Sequence, residues 1–460
     1  MSMVWEQLLC TECLGIEKQE RAYADRRNPF EHDADIITFS NAFRRLGRKT
    51  QVHPFAASAH THTRLTHSLE VASVGRSLGN HLGQVLRNEL PAAIEPWNIG
   101  CLVRAACLAH DIGNPPFGHA GEDAMSEWVK SDGSCYLDTL TPKEKADIQA
   151  FEGNAQGLRA LTQIENHVFS GGLRLTFATL GTFMKYPWTS AARTDPGKGK
   201  FGAYLSEQGV LSCVATKLGL VNRGADRWCR HPLAYLAEAA DDICYATIDL
   251  EDAVELGILK FSEVKDMMFE VLPTKIKDTV DEMLVEQQYH RINFARLRDP
   301  VYGALIQAQI DGFMANKTTI MEGSFEIAET GLLDASSPAF KLISQAKTWA
   351  DKEIYSNRFK RDVEMGCYAA LGCILNAFSR AAVESASMLA SEGENKRKLG
   401  GLSRLVLSHM GNHAPSPQNG PPDGWSQYNC LRRTMDYVGG MTDDFAWDMA
   451  AKLQGISPHR

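Results

Sequence analysis

The chain is 460 residues long, with 44% hydrophobic and 23% charged residues, enough apolar material for a sizeable core in one large lobed domain or two closely packed ones. No run approaches the roughly 20 apolar residues of a membrane span, and residues 1–27 show neither the basic start nor the small-residue cleavage site of a secretory signal, so a non-membrane protein of the cytoplasm is expected. A net charge of -8 argues against a chain built wholly around nucleic-acid backbone, while leaving room for a local basic patch.

Apolar residues recur with helical periodicity and strand-like alternation is scarce, so the expected class is all-α with room for a short hairpin. Helices are predicted over roughly 64–88, 98–112, 119–131, 144–167, 231–256, 278–295, 300–315, 338–350, 358–392 and 430–453. A basic Gly/Pro loop (189–204) and a Pro/Gly connector (411–425) interrupt them, and neither is long enough to separate independent domains. The eleven cysteines are an odd number, and Cys101, Cys107, Cys244, Cys367 and Cys373 sit in apolar helical contexts that suit reduced thiols. Cys10 and Cys13 have CxxC spacing, but no second such pair follows.

Three of the predicted helices carry chemistry. The stretch HTHTRLTHSLEVASVGRSL (60–78) starts a helix near Thr63 that aligns His67 with Val71, Val74 and Leu78. In NIGCLVRAACLAHD, His110 continues the stripe of Ile99, Leu102, Val103, Ala106 and Cys107, and Asp111 stands beside it; Gly113, Pro115 and Pro116 then stop the helix. In HPLAYLAEAADDICYATIDLED (231–252), Asp241 lies on the stripe of Leu233, Leu236, Ala237, Ala240, Cys244 and Ile248, with Tyr245 and Asp249 one and two turns beyond it. An isolated His-Asp pair is most often a satisfied core pair. His67, His110, Asp111 and Asp241 together form a mixed N and O set that suits Mn²⁺, Mg²⁺, Fe²⁺ or Zn²⁺ with positions open for water, unlike a closed thiolate site.

The turn after Asp111 leads into a new helix on which His119 and Glu122 share a face. A carboxylate beside an imidazole fixes its tautomer and makes it a better activator of water or proton donor to a leaving oxygen.

The strings RRLGRKTQV (44–52), HTRLTHSLEV (62–71), HDIGNPPFGHAGE (110–122), FEGNAQGLR (151–159), KYPW (185–188), EAADDICYATIDLEDAVE (238–255) and DYVGGMTDDFA (436–446) resemble the bacterial dGTPase, or deoxynucleoside triphosphate triphosphohydrolase, family of HD-domain phosphohydrolases. The resemblance implies an N-terminal helical segment (1–40), an HD-domain helical core (41–275) and a helical C-terminal lobe (276–460) that completes the nucleotide site within one compact unit. It implies His119 and Glu122 as the catalytic pair beside a divalent ion, Mn²⁺ or Mg²⁺ before Fe²⁺ or Zn²⁺. It also implies cleavage of the α-phosphate ester of a dNTP, with dGTP favoured, to deoxynucleoside and triphosphate.

A triphosphate needs local cations. Arg44, Arg45, Lys49 and Arg64 cluster in sequence around the start of the His67 helix, and Arg64 is taken as a substrate contact. By resemblance, Asn154, Lys185, Tyr186 and Lys200 contact triphosphate or sugar, Tyr245 and Asp249 exclude a ribose 2′-hydroxyl, and Gln51 with Val52 lines the sugar and base pocket. Either Arg432 or Arg433 reaches the site, with Arg433 preferred. The resemblance further implies a homo-oligomer, with a hexamer as the candidate assembly, and single-stranded DNA as a candidate effector. Two other readings compete: an HD-domain phosphodiesterase acting on a cyclic nucleotide or a guanosine alarmone, and a non-catalytic nucleic-acid-binding module, which predicts loss of a ligand or of the His119/Glu122 pair.

Overall fold

Thr63 opens the Arg64–Val85 helix through a reciprocal cap, donating its N–H to Thr66 Oγ1 at 3.0 Å and accepting from Thr66 N at 3.3 Å. Gly75, Gly79 and Gly83 recur every fourth residue along that helix and let it lie directly on the Pro96–Ala109 helix. A Cβ at Gly79 would stand 2.7 Å from Gly100 Cα, and one at Gly83 would stand 2.1 Å from Pro96 O. This close approach brings His67 and His110 together, with ring centroids 5.4 Å apart. The Ala234–Cys244 helix packs across both and continues through a π-helical turn, Tyr245–Asp249, into Leu250–Glu255.

The computed structural model describes residues 2–16, 27–51, 62–193, 199–255, 257–285, 289–325, 331–350, 352, 358–391, 398–416 and 424–456. Among them the chain is all-α apart from one hairpin pairing Asn222–Gly224 with Arg227–Trp228, and all eleven cysteines are free. Two apolar cores organise it. The larger runs from Met3 to Ala346 and holds the three helices just described, together with the His290–Ala315 and Pro338–Trp349 helices. The second joins the His119–Lys130 helix to the Arg358–Leu389, Gln427–Gly439 and Asp443–Leu453 helices.

Several predicted boundaries move. The expected 144–167 helix is cut at Phe151–Glu152, because the Glu152 carboxylate accepts from Asn154 N at 3.2 Å and starts a new helix there. The 430–453 helix divides after Gly439, since Thr442 caps a fresh start at Asp443. Conversely, the break expected between 295 and 300 does not occur. Phe294, Leu297, Val301 and Leu305 are all buried at helical spacing, and their packing carries the His290–Ala315 helix through Pro300. The stretch Arg361–Leu389 is, contrary to expectation, long and apolar enough by length and composition to cross a membrane. Here it is the spine of the second core: Cys367, Leu371, Ile374, Leu375 and Phe378 are fully buried against the helices around it.

The distant motif strings meet one another. Arg159 binds Asp436 through two nitrogens, at 2.7 and 2.8 Å, and Glu207 through the third at 2.6 Å, all within buried surroundings. Asp443 accepts from Thr50 N and from Phe117 N, both at 2.9 Å. The second of these bonds holds Phe117 at φ 66°, a left-handed conformation costly for a non-glycine residue. Gly118 follows at φ 61°, and a Cβ there would collide with Arg64 Nη2 at 2.7 Å. The NPPFG turn is therefore a held, close-packed turn that delivers His119 to the start of its helix.

Candidate active site

His67 and His110 approach Asp111 and Asp241 at the meeting point of the three helices. One ligand atom each from His67, His110 and Asp111 lies within 4.8 Å of the others. Asp241 Oδ1 lies 3.0 Å from His67 Nε2 and 3.9 Å from His110 Nε2. The donor chemistry suits a divalent cation. His110 Nδ1 lies 2.7 Å from the Cys107 carbonyl, which can only accept, so Nδ1 carries the proton and the Nε2 lone pair faces the carboxylates. Burial opposes the charge on Asp111, but Arg64, whose Nη1 donates at 2.8 Å, together with His110 and His67 holds its carboxyl down at about 2. Asp241 is likewise held well below the carboxylate range against burial, by His67, His110 and Lys185.

Beside this group stands the His119/Glu122 pair, Nδ1 to Oε2 at 3.1 Å. Glu122 is buried and receives Gly153 N at 2.7 Å and Lys200 Nζ at 3.3 Å; His119 is 79% exposed. Against the cost of burial, His119, Lys200 and the Gly153 N–H keep the Glu122 carboxyl below its usual value, so it stays a charged partner for the imidazole.

A cavity of about 360 Å³ opens over both groups, and Gln51, Arg64, Asn154, Lys185, Tyr186, Lys200 and Tyr245 line it. Gln51 Oε1 is buried with no hydrogen-bond partner among the described residues, an acceptor left over for a ligand. Val52 lies outside the described residues. Asp249 does not line the cavity. It is buried near His67 and Asp241, and burial pushes its carboxyl up to about 7.

An HD domain model matches residues 64–169. The chain is 43% identical to a deoxyguanosinetriphosphate triphosphohydrolase-like protein of Pseudomonas aeruginosa (strain LESB58) over 458 residues, 99% of each chain. It is 37% identical to one of Synechocystis over 99% of this chain and all of the relative. It is 30% identical to the deoxyguanosinetriphosphate triphosphohydrolase of Cronobacter sakazakii over 93% of this chain and 94% of that one. The chain belongs to the dGTPase-like family.

In this dGTPase-like chain the expected contact Arg433, and Lys49, Arg45 and Arg44 of the sequence cluster, all stand outside the cavity. Lys49 is no phosphate contact: its ammonium is buried and donates to the Asn114 and Gly439 carbonyls, joining the HD turn to the C-terminal strings. Burial first, then Arg45, lowers its pKa to about 7. Arg45 pairs with Glu165 at 3.3 Å and Arg44 faces outward. Arg433 lies over Trp425, 5.8 Å from the ring centroid, and is not among the cavity residues. Arg432 is fully buried, stacked 3.8 Å over the Tyr204 ring.

Three acidic groups and one lysine of the cavity escaped the sequence reading: Glu152, which binds Lys200 at 3.2 Å; Glu238, which binds Lys185 at 3.1 Å; and Asp242, which binds Lys347 at 2.7 Å. The first was legible as the cap residue of FEGN; nothing local marks the others.

His62 precedes Thr63, which forms a bridge with Thr50. Its Nδ1 lies 2.7 Å from Asp252 Oδ2, and Asp252 first, then Glu70, pushes its pKa up to about 10 against burial. The folded state therefore keeps a proton that the unfolded chain releases near its ordinary value of 6.5, so the stabilisation is full below that value and fades as pH rises toward about 10. The expected result is that the melting-temperature gap between the unsubstituted protein and His62→Gln is widest near about pH 6 and shrinks on going alkaline. A gap independent of pH would mean that His62 is not charged in the fold.

Proposed function

We propose that the chain is a metal-dependent dNTP triphosphohydrolase, with dGTP the favoured substrate, which releases deoxynucleoside and inorganic triphosphate. The same reading takes residues 41–275 as the catalytic core, 276–460 as the lobe that completes the nucleotide site, Mn²⁺ or Mg²⁺ as the ion, and a homo-oligomer of the cytoplasm as the working form. The observation that carries it is the convergence, in one cavity, of His67, His110, Asp111 and Asp241 with the His119/Glu122 pair and the lysines Lys185 and Lys200.

His67, His110, Asp111 and Asp241 would hold a divalent ion, which would supply charge neutralisation for the phosphates and acidify a water. The chain's residues do the rest. Arg64 fixes the Asp111 carboxylate through the 2.8 Å bond. Glu122 engages His119 Nδ1, which leaves Nε2 to take a proton from water or pass one to the departing 5′ oxygen. Lys185 and Lys200, now held by Glu238 and by Glu122 with Glu152, exchange carboxylate for phosphate oxygens. Gln51 and Tyr245 face the sugar.

The deciding experiment analyses the products from dGTP with metal-loaded protein. Triphosphate with deoxyguanosine is expected; orthophosphate from dGTP, or a linear mononucleotide from a cyclic substrate, would favour the phosphodiesterase. Sugar selection follows from Tyr245, since a wall without room or partner for a 2′-hydroxyl rejects it at a cost of about 2 kcal/mol. dGTP should thus be cleaved some tens of times more efficiently than GTP, and Tyr245→Ala should narrow that ratio mainly by slowing dGTP. Equal cleavage of both nucleotides by the unsubstituted enzyme would defeat the assignment.

A further inference from the structure

We infer that Lys347, delivered by the C-terminal half of the chain, is a binding residue for the substrate's triphosphate and is held in waiting by Asp242. The inference rests on the dNTP reading above and adds to it a residue that no motif string contains.

Lys347 stands in the last turn of the Pro338–Trp349 helix. Leu342, Ile343 and Ala346 of that helix are buried in the larger core, and Ala350 just beyond it packs on Ala253, so a fixed element presents the lysine. Its ammonium lies 2.7 Å from Asp242 Oδ1, and both residues line the cavity that holds the His67/His110/Asp111/Asp241 group.

The wall they occupy has a regular plan. On the Ala234–Cys244 helix, Glu238 and Asp242 flank Asp241, the first binding Lys185 and the second Lys347. Across the cavity, Glu122 and Glu152 bind Lys200. Each lysine thus rests on a carboxylate whose oxygens occupy the kind of place a phosphate oxygen would take. Lys347 is 47% exposed on its side chain and Asp242 26%, so the pair opens on the cavity and its long stem can swing from one anion to another.

Charge makes the exchange necessary. Four cationic side chains, Arg64, Lys185, Lys200 and Lys347, line the cavity against six carboxylates, so the site without its ion is net negative. A triphosphate carrying several negative charges cannot spare one of three lysines in such a wall. An ordinary surface ion pair contributes little to stability, so a purely structural role for Lys347 predicts almost no effect on removing it.

The test measures binding of inorganic tripolyphosphate to the Mn²⁺-loaded full-length enzyme by calorimetry, alongside inhibition of dGTP turnover by tripolyphosphate and by deoxyguanosine. Lys347→Gln should weaken tripolyphosphate binding and raise KM for dGTP by about 10- to 100-fold, the scale of one charge-assisted contact. kcat should stay within a few-fold, and deoxyguanosine inhibition, metal content and melting temperature should hold. Lys347→Arg should retain most of the affinity. Asp242→Asn should tighten tripolyphosphate binding by releasing the lysine, and the double variant Asp242→Asn/Lys347→Gln should bind as weakly as Lys347→Gln.

Unchanged tripolyphosphate affinity in Lys347→Gln would overturn the inference while leaving the dNTP reading intact. Recovery of full affinity in the double variant would overturn it too, because Lys347 would then merely mask Asp242. If the unsubstituted enzyme neither binds tripolyphosphate nor releases it from dGTP, both readings fall together.

Discussion

Asp111→Ala is expected to lose bound metal and turnover together, by orders of magnitude. Asp111 Oδ1 lies 3.5 Å from His110 Nε2 and is the carboxylate of the three-residue cluster, so its removal takes away one of the two carboxylate charges, with Asp241, that the ligand set offers a cation. The same substitution leaves Arg64, a buried guanidinium, without its 2.8 Å partner, and breaking a buried pair from one side costs about 3–5 kcal/mol. Asp111→Asn separates the two effects, because an amide oxygen still accepts from Arg64 while the ligand charge is gone. Metal analysis by mass spectrometry, initial rates and thermal melts read all three quantities. Activity near that of the unsubstituted enzyme in metal-replete buffer would rule out this ligand set.

His119→Ala should lower kcat by about 100-fold or more, the usual contribution of a general acid or base. The structure makes this a clean substitution. His119 is 79% exposed, so little packing is lost, and Glu122 keeps Gly153 N and Lys200 as partners. Metal content, melting temperature and nucleotide affinity should therefore persist while turnover falls. Should nucleotide affinity collapse with turnover at saturation unchanged, His119 is a binding residue and the proton-transfer role is wrong.

Much of the site was written in local sequence, for a physical reason. A helix repeats its faces every 3.6 residues, so His67, His110 and Asp241 could be placed inward from the apolar residues flanking them, and a turn as constrained as NPPFG announces the start of the His119 helix. The glycines at 75, 79 and 83 were equally legible as a close-packing stripe, though the reading passed over them.

Periodicity reports which face is buried but not what that face meets. Lys49 belongs to a cluster of cations in sequence that names no partner; only the fold shows its ammonium donating to the carbonyls of residues 114 and 439. The pairing of Arg159 with Asp436, of Asp443 with Phe117, and of Asp242 with Lys347 joins residues too far apart in sequence for any local signal, since a hydrogen bond or ion pair leaves no trace on the chain between its partners. A π-helical turn separates Tyr245, at the cavity, from Asp249, which does not line it. The sequence by itself determined the helices, their buried faces and the chemistry those faces bear; which charged groups end up partnered, and by what, was decided only when tertiary packing brought the distant helices into contact.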